Sequence, residues 1–114
     1  MIYKLLTAAE WAAAVEAGQF DGSAVDRQDG YVHFSTAEQV VETARRYFTG
    51  VTDLTMLAVD PEPLGEALRW EPSRGGDLFP HLYAPLPVSA VTAVLPLPDN
   101  LPAAEAVAAA LPRL

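Results

Sequence analysis

At 114 residues, about half of them apolar, the chain is long enough for one domain with a core that needs no metal or disulfide staple. It holds no cysteine, which excludes thiolate catalysis, disulfides and cysteine-ligated zinc. Fifteen acidic residues against seven basic ones leave a formal charge of −8, a surface that repels a phosphate backbone and disfavours broad nucleic-acid binding.

No apolar run approaches the roughly 18–20 residues of a membrane span, and Met1-Ile2-Tyr3-Lys4 lacks the start of a signal peptide, so the expectation is a cytoplasmic protein with no membrane partner. Residues 2–6 alternate as a short strand. Thr7 and Glu10 make an S/T-x-x-E capping box that opens a helix to Gly18, with Trp11 and Val15 on one face and expected in the core. Residues 19–29 read as a loop, longer than usual and so a candidate binding loop, in which Asp26 and Arg27 are either substrate contacts or, the favoured expectation, a solvated pair. A strand follows over Tyr31–Ser35. A second helix is expected from Thr36 or Ala37 to Phe48, with Val40, Val41, Ala44, Tyr47 and Phe48 as its apolar stripe and a Glu42–Arg46 pair outside. Residues 53–60 are the clearest strand, apolar enough to be central in a sheet. A turn with a short helical piece at 63–67 leads to a strand over Leu68–Glu71, whose Trp70 is expected in the core. A polar loop at 73–77, extended chain at 79–83, a strand over 88–97 at a sheet edge and an alanine-rich helix over about 102–111 complete the order. Strand, helix, strand, helix and then mostly strands is an α+β pattern, expected to form a single domain over 1–114.

Chemistry concentrates in two stretches. In Asp29-Gly30-Tyr31-Val32-His33-Phe34-Ser35-Thr36, strand alternation puts Val32 and Phe34 on one face and Tyr31, His33 and Ser35 on the other. Ser35 or Thr36 is placed to cap the next helix, with Glu38 or Gln39 as reciprocal partner, and a helix start offers N–H groups to an anion. The second stretch runs from Arg69-Trp70-Glu71 through Arg74 to His81-Leu82-Tyr83, and the chain's two histidines fall one in each stretch. Plain structural roles compete at each position: a strand histidine beside an ordinary cap, surface arginines, and Glu71 paired with Arg69 or Arg74. Two histidines 48 positions apart lack metal-ligand spacing, so no metal site is expected.

These pieces, with Ile2-Tyr3-Lys4, Trp11, Leu57-Ala58-Val59-Asp60 and Phe79-Pro80-His81-Leu82-Tyr83, resemble the DUF952 family of small bacterial proteins over residues 2 to 98. The family's function is undetermined. The resemblance implies a fold similar to the ADP-ribosyltransferases: a split, mixed β-sheet with flanking helices around an NAD cleft. It looks closest to the two-histidine branch typified by RNA 2′-phosphotransferases. It makes His33 the first-motif histidine on the ribose side and His81 its partner, with Glu71 the carboxylate in the corresponding half of the chain. Tyr31, Ser35, Thr36, Arg69, Arg74 and Tyr83 are then the candidate ligand contacts.

Splitting the bond between nicotinamide and ribose requires positioning of ribose and phosphates more than a strong nucleophile. Imidazoles bind hydroxyls or exchange protons, arginines clamp phosphates, and tyrosines stack on rings. The resemblance, with this chemistry beside it, implies NAD, ADP-ribose or a related phosphorylated nucleotide as the ligand, with NAD as a substrate, and transfer or hydrolysis at ribose C1 as the reaction. The rival expectations are a noncatalytic ligand-sensing or protein-interaction module on the same scaffold, and hydrolysis of an unrelated small substrate by the histidine pair.

Overall fold

The computed structural model describes residues 1–114. β1 (Ile2–Thr7), β4 (Leu54–Val59) and β8 (Val91–Pro96) form a three-stranded sheet in the order β1-β4-β8. A second sheet has the order β3-β6-β5, from β3 (Val32–His33), β6 (Leu78–Leu82) and β5 (Leu68–Pro72). A two-stranded ladder joins β2 (Gln19–Phe20) to β7 (Leu86–Pro87). Every ladder is antiparallel, so the α+β class stands and the expected mixed sheet is corrected.

Central β4 is buried at all six positions, as its unbroken apolar run requires. Its sheet is covered on both faces. Ile2, Leu6, Leu57 and Val59 pack with Phe20, Val32, Phe34 and Leu82. Tyr3, Leu5, Met56 and Ala58 pack against Val40 and Ala44 of α3 (Val40–Tyr47) and Ala106 and Val107 of α4 (Ala103–Ala110). Between the sheets, Tyr3 and Ser35 exchange backbone hydrogen bonds of 2.8 and 3.0 Å, so the chain leaving β3 docks on β1.

Several expectations are corrected. Residues 19–29 are no loop: β2 occupies the start, and α2 (Ala24–Asp29) has its own capping box between Ser23 and Asp26 and a left-handed Gly30 (φ 88°) at its end. α1 (Ala8–Ala17) is capped by Thr7 and Glu10 as expected, but Val15 is 51% exposed, and Ala14 and the partly buried Trp11 make its core contact. The second long helix begins at Val40, and residues 37–39 form a turn. Gln39 rather than Glu38 makes the reciprocal bond, its Oε1 accepting from the Thr36 N–H at 3.0 Å, and the Ser35 hydroxyl does not cap. Within that helix's stripe Tyr47 is exposed, whereas the outward Glu42–Arg46 pair forms at 2.8 Å. Trp70 lies opposite Pro80 but is 48% exposed, because β5 is an edge strand and the core ends before it. The strand placed at 88–97 is shorter: Val88–Ala90 form a 3-10 turn after β7, and β8 begins at Val91, with Val91, Ala93 and Leu95 half-buried between exposed neighbours. No helix is long and apolar enough to cross a membrane.

Candidate functional site

β3 and β6 are paired so that His33 stands directly opposite His81. Opposite residues in an antiparallel ladder project to the same face, and the two ring centroids are 5.7 Å apart. Tyr31 shares that face by alternation and stacks on His81 at 4.1 Å. Residues 48 positions apart are thus brought together by one register, and a one-residue slip would separate them.

This face forms part of the wall of a cavity of about 540 Å³ bounded by β1, α2, α3, β3 and β6. Tyr31, His33, Ser35, Arg74 and His81 line it. The Ser35 hydroxyl meets Thr43 Oγ1 at 2.9 Å, and Arg74 donates to the same oxygen at 3.2 Å while its guanidinium lies 4.8 Å over the Phe79 ring. Arg74 takes part in no ion pair, so N–H donors remain for an anion.

Four of the expected contacts stand elsewhere. Thr36 is tied into the turn with Gln39, away from the wall. Arg69 stacks on Tyr83 at 4.7 Å outside the cavity. Glu71 and Tyr83 sit behind His81 rather than on the wall: Glu71 Oε1 meets His81 Nδ1 at 2.9 Å and accepts from the Tyr83 hydroxyl at 2.7 Å. Glu71 therefore pairs with neither arginine. The Tyr83 and His81 hydrogen bonds hold its carboxyl below the usual range against the effect of burial. The hydrogen bond to Glu71 in turn raises the Tyr83 phenol. Burial raises the Tyr31 phenol, helped by the charges of Asp29, Glu71 and Asp26.

Sequence reasoning missed Lys4, Asp29 and Thr43 and ranked Asp26 as a contact below a solvated role. Asp26, expected in solvent with Arg27, is 2% exposed. Its carboxylate accepts from Lys4 Nζ at 2.9 and 3.1 Å, from the Ser23 N–H at 2.9 Å, from the His33 N–H at 3.1 Å and from His33 Nδ1 at 2.6 Å. Asp29 takes the other ring nitrogen, Nε2, at 2.9 Å. Both ring nitrogens of His33 thus face carboxylate oxygens, one of Asp26 and one of Asp29. Burial by itself raises a carboxyl's pKa, yet the His33 hydrogen bond, the Lys4 charge and the Ser23 N–H outweigh it and hold Asp26 well below the usual range. Burial lowers the Lys4 ammonium against the opposing pull of Asp26 and Glu10, so the carboxylate is the firmer charge of this pair. The available signal was the Ser23-x-x-Asp26 spacing, the same kind of box as Thr7-x-x-Glu10.

An α+β domain of antiparallel sheets, with His33 of β3 and His81 of β6 on the wall of a cavity, is the class this geometry defines. Residues 5–94 match the model of a family described as a protein of unknown function, DUF952, and the chain belongs to that family. The crystal structure of protein CC0527 from Caulobacter crescentus is similar, with 55% identity and a TM-score of 0.84 over 89% of this chain and 91% of that one. The solution structure of the same bacterial protein is 54% identical, with a TM-score of 0.76 over 90% of each chain. No curated protein matches the chain.

Proposed function

We propose that the cavity binds a phosphorylated nucleotide, NAD, ADP-ribose or a near relative, on an ADP-ribosyltransferase-like scaffold, and that turnover, where it occurs, is transfer or hydrolysis at ribose C1. The observation that carries this reading is the register that sets His33 against His81 beside Tyr31, on a wall that also holds Ser35 and the unpaired Arg74. The volume, about 540 Å³, falls within the 300–1,000 Å³ of small-molecule sites. An arginine free of carboxylates suits a phosphate, and hydroxyls and an imidazole suit a ribose.

Calorimetric titration with NAD and with ADP-ribose tests the reading. Heat of binding is expected for the wild type and a marked loss for Arg74→Ala; absence of heat with either nucleotide contradicts it. A second reading, a binding module that turns nothing over, is favoured by the engagement of both His33 nitrogens with Asp26 and Asp29. Nicotinamide released from bound NAD separates the two, since a binder releases none.

A further inference from the structure

The two histidines are held differently. His33 is clamped at both ring nitrogens, whereas His81 has a single side-chain partner, Glu71, on Nδ1. Glu71 stands outside the cavity wall and His81 belongs to it, so the ring bridges the carboxylate and the open space. The His81 side chain is only 4% exposed, yet no buried side-chain nitrogen or oxygen in the molecule lacks a partner. Nε2, which has no partner, is therefore not sealed from the open space. Its orientation is fixed from two more directions: Tyr31 stacks on the ring, and the Tyr83 hydroxyl holds the same Glu71 oxygen that receives Nδ1.

We infer that Glu71 is a positioning residue that keeps the His81 proton on Nδ1, so that the Nε2 electron pair faces the cavity as the acceptor for a hydroxyl of the bound molecule. The inference rests on the nucleotide reading for the identity of that hydroxyl, a sugar hydroxyl or the water that attacks the sugar. A carboxylate behind an imidazole selects the tautomer and stabilises the imidazolium formed when the ring takes a proton. In such a step the O–H bond breaks, its electrons stay on oxygen, and the Nε2–H bond forms from the ring's own pair. The carboxylate stays ionised throughout. His33 cannot serve this way, because neither of its nitrogens is open.

Nitrogen-15 spectra of the imidazole rings test the inference, and a chain with two histidines makes assignment simple. The wild type is expected to show His81 protonated at Nδ1 and bare at Nε2. Glu71→Gln, which keeps an acceptor oxygen, is expected to retain that tautomer, and Glu71→Ala to mix the two. Addition of ADP-ribose is expected to move the His81 Nε2 signal. A wild-type proton on Nε2, or no change of tautomer in Glu71→Ala, overturns the inference. So does ADP-ribose that shifts the Tyr31 and Arg74 signals and leaves Nε2 unmoved, although the nucleotide reading would survive. If ADP-ribose and NAD move no signal on the cavity wall, the nucleotide reading fails, while the tautomers still decide the role of Glu71.

Discussion

The two three-stranded sheets solve opposite problems. In the β1-β4-β8 sheet the central strand is buried throughout, and apolar residues cover its two faces. In the β3-β6-β5 sheet one face joins the same core through Val32 and Leu82, and the other carries His33, His81, Glu71 and Arg69. The first sheet is stabilised by apolar area removed from water, with little dependence on direction. The second holds charges in place and must satisfy each one, since a buried carboxylate without partners costs far more than a missing methyl group. The contrast places stability mainly in one sheet and chemistry mainly on the other, with Lys4 of β1 reaching across to Asp26 as the tie between them.

The sharpest way to break that contrast is at the tie. Lys4→Met removes one partner of a buried pair and is expected to cost about 3–5 kcal/mol in urea denaturation, by leaving the Asp26 charge short of a counter-ion. A loss under about 1 kcal/mol would mean that His33 alone compensates Asp26. In the apolar sheet, Leu57→Ala at a fully buried site is expected to cost about 2–5 kcal/mol by creating a cavity, with a loss that does not vary with pH.

The pH dependence separates the two regions further. Asp26 has its folded pKa depressed, so its contribution is complete above the unfolded value of about 4 and is lost as pH falls through the lower folded value. In that interval the unfolded chain binds more protons, and stability falls with acid. The denaturation midpoints of wild type and Asp26→Asn are therefore expected to converge below about pH 4, whereas the gap between wild type and Leu57→Ala stays constant. The smallest effect is expected on the exposed face of β8, where Val94→Thr should change stability by no more than about 0.5 kcal/mol and leave nucleotide binding unaltered.

How much of this was legible in the sequence follows from the range of each interaction. The β4 strand, the Thr7–Glu10 cap and the alternation of Tyr31, His33 and Ser35 against Val32 and Phe34 depend on neighbours in the chain, and each is found where local pattern puts it. α2 was missed because a six-residue helix has too few turns to show apolar periodicity, although its Ser23 box and Gly30 stop were present. Asp26 was misjudged because its partner Lys4 lies 22 residues earlier and only the tertiary fold makes them meet. Trp70 follows strand alternation onto the core side of β5, but the position of that strand at the sheet edge, which leaves it exposed, is a property of topology. Among the candidate site residues, those on β3 and β6 converge by register. Arg69 on β5 shares their row but stands too far out, beyond His81 from the cavity.

The central claim is that the cavity lined by Tyr31, His33, Arg74 and His81 is a nucleotide site. A crystal structure determined after co-crystallisation with excess ADP-ribose tests it most directly. The account predicts ligand density in the cavity, with phosphate oxygens within hydrogen-bond distance of Arg74 and a ribose hydroxyl against His81 Nε2. An empty cavity, or ADP-ribose bound on another surface of the molecule, would contradict it.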